Sequence, residues 1–270
     1  MIGLRKRNLL FRLSLLACLG VLSLFVGLFL LSSFVYAGPL RLLDLLRRPE
    51  AQQSIWLSLW TSSLSTLLAL VFAVPSAYVL TRHRVPGAGV LDVLLDLPIV
   101  LPPLVAGFSL LLLYTLLGRW LGSRTLESAG LDLRFSQPGI VLAQFTIAAP
   151  LAVRVMRAAF QEVPVRLESM ARSLGAGEAE TFRRISLPMA RNGILAGTIL
   201  VWARSVAEFG PILVFAGAVR GKTDVLPISI FLSFSNGEIE NGVALSALLI
   251  VVGVLALALI RRLGGSLVVG

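Results

Sequence analysis

A chain of 270 residues that is 57% hydrophobic and only 14% charged, with a mean hydropathy of +0.90, is too apolar for a soluble α/β enzyme and reads as an integral membrane protein. Its formal charge of +10 would suit nucleic acid only if the arginines formed one patch; they are spread among the segments between apolar runs, so no nucleic-acid partner is expected. One cysteine, Cys18, and one histidine, His83, leave no disulfide pair, no cysteine metal cluster and no Ser/His/Asp or Cys/His catalytic set.

Six apolar runs, near residues 13–35, 55–81, 90–117, 139–158, 193–217 and 242–260, approach the roughly 20 residues that a helix needs to cross about 30 Å of hydrocarbon. Alternating segments of the kind a membrane barrel requires are absent. The predicted fold is an all-α integral membrane protein, a six-helix polytopic bundle in a single domain over residues 1–270.

The first run follows Arg5, Lys6 and Arg7 and ends at Val35-Tyr36-Ala37, which resembles a signal-peptide cleavage site. Its apolar stretch exceeds the about 7–15 residues of a signal core, so an uncleaved first helix is expected. Thr61, Ser62, Ser63, Ser65 and Thr66 in the second run suit tight helix packing, and they could also offer hydroxyls to a polar cargo. Asp92 and Asp96, spaced i and i+4 near Arg82 and Arg84, read as anchors of a helix end.

In the third run Pro98, Pro102 and Pro103 each remove a backbone donor. The span should bend or break there, either to shape the bundle or to line a pathway. Arg204 and Glu208 lie four residues apart in the fifth run, on one helical face, where each charge costs about 2.5–3.5 kcal/mol on insertion scales. They must pair or border a wet cavity, as a structural ion pair or as part of a gate. Ala216 to Thr223, AGAVRGKT, fits a relaxed nucleotide-binding loop but lacks the preceding strand that such a loop requires, and reads as a chance match. Residues 118–137 and 219–240 read as short external loops, and residues 228–242 as an external helix or cap before the last span.

Counting Arg and Lys on alternate sides of six spans gives fifteen with the N-terminus, the 82–89 and 154–192 loops and the C-terminus, against eight on the other side. The richer side is therefore expected in the cytoplasm, with both termini. Gly221-Lys222-Thr223 then lies outside, where ATP is not supplied.

The cytoplasmic loop over about 159–192 is predicted to be an ordered helix-turn-helix. Val163, Leu167, Met170, Ala171 and Leu174 form one apolar stripe at helical spacing, with Arg166, Glu168, Ser169, Arg172 and Ser173 facing elsewhere. Pro164 suits a first turn and Gly175-Ala176-Gly177 an end. A second short helix should follow, with Glu178 and Glu180 at its start and Arg183 and Arg184 at its end.

This loop resembles the signature of permease subunits of ATP-binding-cassette importers: E-A-A, a Gly after three intervening residues, and I-x-L-P beginning ten residues past that Gly. Gly175, Ile185, Leu187 and Pro188 keep that spacing; Ser169, Met170 and Ala171 stand at the E-A-A positions, with Glu168 one residue early. The resemblance implies that the loop inserts into a groove of a separate ATPase. DLPIVLPPLVAG (96–107) and WARSVAEFGPILVFAG (202–217) are similar to the molybdate, tungstate and sulfate branch of that family, molybdate or tungstate ahead of sulfate.

The resemblance implies a permease in the cell membrane that acts as a homodimer, receives an oxyanion from an extracytoplasmic binding protein, and is driven by cytoplasmic ATPase subunits. ATP and Mg would sit on those partners, with no cofactor and no enzymatic chemistry on this chain. The residues expected to matter are Glu168, Ser169, Ala171, Gly175, Ile185, Leu187 and Pro188 for coupling, and Pro98, Pro102, Pro103, Arg204, Glu208, Phe209 and Gly210 for the pathway or gate. A secondary transporter or channel and a membrane-anchored scaffold are the competing readings.

Overall fold

The computed structural model describes residues 2–121 and 133–264; Arg124 and most of the 118–137 connection lie outside the described residues. In order the helices are α1 (Ile2–Ala37), α2 (Pro39–Arg47), α3 (Pro49–Arg82), α4 (Ala88–Val100), α5 (Pro103–Leu121), α6 (Gln137–Gln161), α7 (Val165–Ser173), α8 (Glu178–Thr181), α9 (Leu187–Val206), α10 (Leu226–Ser235) and α11 (Ile239–Gly264). No strand occurs among the described residues. Six stretches are long and apolar enough to cross a membrane: Phe11–Ala37, Pro49–Arg82, Pro103–Trp120, Gln137–Gln161, Glu178–Val206 and Ile239–Arg262.

The bundle is organised around α3 and α6, the most extensive helix pair. Ala69, Ala73 and Ala77 recur every fourth residue on α3 and meet Ala148, Ala152 and Ala159 of α6 in one buried cluster. Lipid supplies no hydrophobic drive between helices, so close backbone approach over small residues must hold them. Helix α9 joins in the same way: a Cβ on Gly193 would stand 2.8 Å from Ala159 Cβ, and one on Gly197 2.5 Å from Val155 Cγ1.

Three hydroxyls of α3 are buried and turn back on their own helix: Ser58 to Ser54 O at 2.8 Å, Thr61 to Leu57 O at 2.7 Å, Ser62 to Ser58 O at 2.6 Å. Ser65 Oγ and Thr66 Oγ1 are buried without a hydrogen-bond partner, and the exposed Ser63 accepts from Trp202 Nε1 at 3.1 Å. Ser58 Oγ also accepts the Leu226 N–H at 2.7 Å, which caps α10. Helix α6 starts where Ser136 Oγ accepts the Gly139 N–H at 3.2 Å.

Three expected elements differ from the structure. The third span is two helices with a single break: Leu101 is extended (φ −63°, ψ 145°), Pro102 O accepts the Val105 N–H at 2.9 Å, and Pro103 opens α5 while Pro98 stays inside α4. The fifth span is not one helix over 193–217; α9 ends at Val206, and residues 207–209 interrupt it before a turn that widens into a π-helix at Ile212–Ala216. The second limb of the loop is not a separate short helix either. Helix α8 runs through a π-helical turn at Phe182–Ser186 into α9, so Arg183 and Arg184 lie at no helix end.

Candidate coupling surface and gate

Helix α7 hangs from the bundle between two non-helical joints. Pro164 starts it, and Gly175, at φ +92°, ends it. The Ala176 N–H reaches Ala171 O and the Gly175 N–H reaches Arg172 O, both at 3.0 Å. This pair of bonds is a Schellman end, and it requires a left-handed residue where Gly175 stands.

The apolar stripe of this helix faces away from the protein. Leu174 is 88% exposed, and Leu167 and Met170 are exposed as well. Only Val163, which precedes the helix, is buried, and Ala171 is half-buried. Ser169, at the family's Glu position, is exposed and donates to its own helix at Val165 O, 3.1 Å.

The residue of α7 that turns inward is Glu168, 1% exposed. Arg82 Nε donates to both its carboxylate oxygens, at 3.0 and 2.8 Å, and Ser186 Oγ donates to Oε1 at 2.7 Å. Arg82 Nη2 donates to Phe160 O at 2.9 Å and Val163 O at 2.8 Å. The placement suits both charges: an acid in the first turn of α7 meets a base in the last turn of α3, and that base satisfies carbonyls at the end of α6. Tyr78, Phe160 and Phe182 pack edge to face beside it. Of the downstream residues, Ser186 and Ile185 belong to the π turn, Leu187 packs on the core and Pro188 is exposed in the first turn of α9.

Toward the other end, the two proline-marked segments interlock. A Cβ on Gly107 would stand 2.9 Å from Pro211 Cα, and one on Gly210 would stand 2.8 Å from Pro103 C. The backbone after the α4–α5 break therefore lies directly against the backbone after the α9 break, which only glycine permits at both positions. Pro98 and Pro102 are not part of this contact. Phe209 joins the apolar cluster of Ile212 and Phe215, and its ring lies 5.5 Å from that of Phe231.

Arg204 Nη1 lies 2.6 Å from Glu208 Oε2, but the two do not share a helical face, because Glu208 stands past the end of α9. A carboxylate there would oppose the negative end of the helix, and Arg204 in the last turn offsets it. Glu208 Oε1 accepts the Phe209 N–H at 3.3 Å, and Gln144 of α6 donates to Ser205 O at 3.1 Å. The Glu208 side chain is buried, whereas that of Arg204 is 38% exposed. Asp92 and Asp96 do not pair with Arg82 and Arg84; their partners are Arg157 and Arg154 of α6, at 2.5 and 3.4 Å.

The segment ending in Gly221-Lys222-Thr223 is a tight turn after a π-helical turn. Thr223 Oγ1 donates to Gly217 O at 3.1 Å and accepts the Val219 N–H at 3.0 Å, so its hydroxyl is engaged within the fold. Sequence reasoning missed Arg82, Ser186 and the His83–Glu178 contact at 2.7 Å, which join positions far apart in the chain without a periodic signal. It also missed Gly193 and Gly197, whose four-residue spacing is a readable packing signal.

The chain matches the family described as binding-protein-dependent transport system inner membrane component over residues 65–267. It is 40% identical over 192 residues to the molybdenum transport system permease protein ModB of Escherichia coli K12, covering 71% of this chain and 83% of that protein. It is 34% identical over 208 residues to the sulfate transport system permease protein CysW of Synechocystis, covering 77% and 75%. Among solved structures, a chain of a bacterial alginate ABC transporter, in complex with an alginate-bound periplasmic protein, superposes with a TM-score of 0.68 at 20% identity over 96% of this chain and 93% of that one. This all-α membrane protein, built on a broken third span, an exposed apolar loop helix and two interlocked helix breaks, belongs to the binding-protein-dependent transport system inner membrane components.

Proposed function

We propose that this chain is the permease subunit of an ATP-driven importer for a tetrahedral oxyanion, molybdate or tungstate ahead of sulfate. The observation that carries the reading is the outward apolar face of α7, Leu167, Met170 and Leu174, on a helix braced from behind by a buried ion pair. Exposed apolar residues on a capped, projecting helix are a docking surface. The partner is a separate ATPase subunit that holds ATP and Mg; this chain contributes no catalytic group. Glu168, Ser169, Ala171, Gly175, Ile185, Leu187 and Pro188 form or brace the docking element. The loop end and both termini lie in the cytoplasm, as the arginine distribution indicates.

The gate lies where Pro103 and Gly210, with Phe209 beside them, bring the two breaks together, and Pro98 and Pro102 shape the approach. Two copies face each other across the pathway, with Arg204 and Glu208 near the seam. An external binding protein delivers the anion, and closure of the ATPases favours one permease conformation by binding it better. The choice of anion rests on the higher identity to the molybdenum permease than to the sulfate permease.

Reconstitution tests the proposal. Vesicles holding this chain, its ATPase and the loaded binding protein should accumulate labelled molybdate or tungstate only with ATP, with labelled sulfate as the comparison. Accumulation by vesicles holding this chain alone would overturn it in favour of a secondary transporter, and sulfate-only uptake would reassign the cargo.

A further inference from the structure

Helix α7 has no apolar anchor in the body of the protein. Its buried residue is Glu168, and its large apolar side chains point outward. Both of its chain connections are weak against bending: Pro164 is extended, and Gly175 is left-handed with nothing within 4 Å of where a Cβ would stand. Were the helix held by its connections alone, a push on its outer face would rotate it in place. The Arg82, Glu168 and Ser186 cluster prevents this. It gathers the end of α3, the end of α6, the first turn of α7 and the π turn below α9 within five hydrogen bonds of 2.7–3.0 Å.

Burying such a pair is a poor route to stability compared with apolar packing of the same volume; what it fixes is geometry. The Ser186 hydroxyl reaches Glu168 from a π turn, and turns of this type widen a helix locally and are enriched at functional positions. Arg82 is suited to the place because its planar fork can serve a carboxylate and two carbonyls at once, which a lysine cannot reproduce.

We propose that Arg82, Glu168 and Ser186 are positioning residues that form a rigid transmission joint, through which displacement of α7 by the ATPase moves α3, α6 and the base of α9 together. The inference deepens the importer reading and rests on it. Breaking the joint uncouples ATP hydrolysis from transport without touching either the nucleotide site or the anion pathway.

The test uses the complete importer in lipid vesicles, in a Cys18→Ser background. Spin labels at Ser173→Cys and Arg84→Cys, both exposed positions, report the distance from α7 to the end of α3. The otherwise unaltered joint should hold that distance constant between the nucleotide-free and nucleotide-trapped states. Glu168→Gln and Arg82→Lys should let it change, and should raise the ATP hydrolysed per anion accumulated by about fivefold or more, the lower end of measured site-to-site couplings. Ser186→Ala, which removes the 2.7 Å bond to Glu168 and leaves the ion pair, should give a smaller rise.

A changing distance with the joint intact would overturn the proposal, and this arm decides even where a variant fails to assemble. An unchanged ATP-to-anion ratio in assembled Glu168→Gln and Arg82→Lys importers would overturn it too. If the unaltered chain shows no ATP-dependent uptake, the importer reading fails first, and that outcome is distinguishable from either of these.

Discussion

Two Arg–Glu pairs brace this protein at opposite places, and they are built differently. At the loop end both side chains are buried, 6% exposed for Arg82 and 2% for Glu168, and Ser186 Oγ and the Phe160 and Val163 carbonyls bond to them as well. Beside the interlocked breaks Glu208 is equally buried, but Arg204 is 38% exposed and meets one carboxylate oxygen only. A pair enclosed and tied to two carbonyls and a hydroxyl is held in one geometry. A pair with one half-exposed partner and one contact is held less tightly. The contrast is between a pair held from several elements at the loop end and a pair with one half-exposed partner beside the interlocked breaks.

The largest expected effect separates the two pairs by stability. Arg82→Ala strands a buried carboxylate and should cost about 3–5 kcal/mol, read as loss of thermal stability and of assembled complex in detergent. Arg204→Ala should cost less, about 1–3 kcal/mol, because the guanidinium is 38% exposed and makes one contact to the carboxylate. Equal losses would erase the distinction.

Next come the glycines that let the two breaks meet. Gly210→Ala would put a Cβ 2.8 Å from Pro103 C, and Gly107→Ala one 2.9 Å from Pro211 Cα. Backbone cannot yield as a side-chain tip can, so each should cost about 1–3 kcal/mol and impair uptake. A variant of either kind with unaltered melting and transport would show that the breaks separate freely. Gly175→Leu is milder in stability, about 1–2 kcal/mol for a left-handed residue, because nothing stands near its Cβ. Its main effect should be on coupling: ATP hydrolysis should lose its dependence on the loaded binding protein, and normal dependence would count against α7 as the docking element.

How much of this was legible beforehand follows from what each feature depends on. The six spans are local properties of composition, and Gly175 announces itself because a helix end needs a left-handed residue. The meeting of the LPPLVAG and EFGP segments was not readable, since it is a contact between residues about a hundred positions apart. Nor was the inversion of α7. Leu167, Met170 and Leu174 of its apolar stripe share the outer face, while Val163 is buried in the core and Ala171 half-buried. Periodicity cannot tell whether a stripe faces the protein or a partner, and here the charge goes in and the large apolar side chains go out. The fifth span was read as continuous because residues 207–217 are nearly as apolar as a helix core; Glu208, Gly210 and Pro211 were the signs of the break. Arg82 gave no signal, because a lone arginine at the end of a span is what membrane proteins carry there in any case.

The smallest expected effect extends the comparison to a buried carboxylate with no arginine against it. Asp224, between the second break and α10, is 6% exposed, and its Oδ1 has no hydrogen-bond partner. Burial pushes its carboxyl above the ordinary value of 3.8, opposed in part by hydrogen bonds from the Gly221 backbone and Ser54 and by the charge of Arg220, which itself pairs with Glu238 at 3.1 Å. A raised native value means that the folded chain holds this proton more tightly than the unfolded chain. Stability contributed at this position is therefore lost as pH rises from the ordinary value through the raised one, and the full penalty is present above both. Asp224→Asn removes the ionisation, so the variant should melt higher than the parent at neutral pH. The gap should close as pH falls through that window. Arg48 and Glu50 border the same cavity, and their charges are common to both proteins, so the difference between the two melting curves isolates Asp224. A gap that stays constant with pH would mean that the carboxylate finds in the folded protein a partner as good as water, and the contrast between enclosed and open acids would then rest on the two arginine pairs alone.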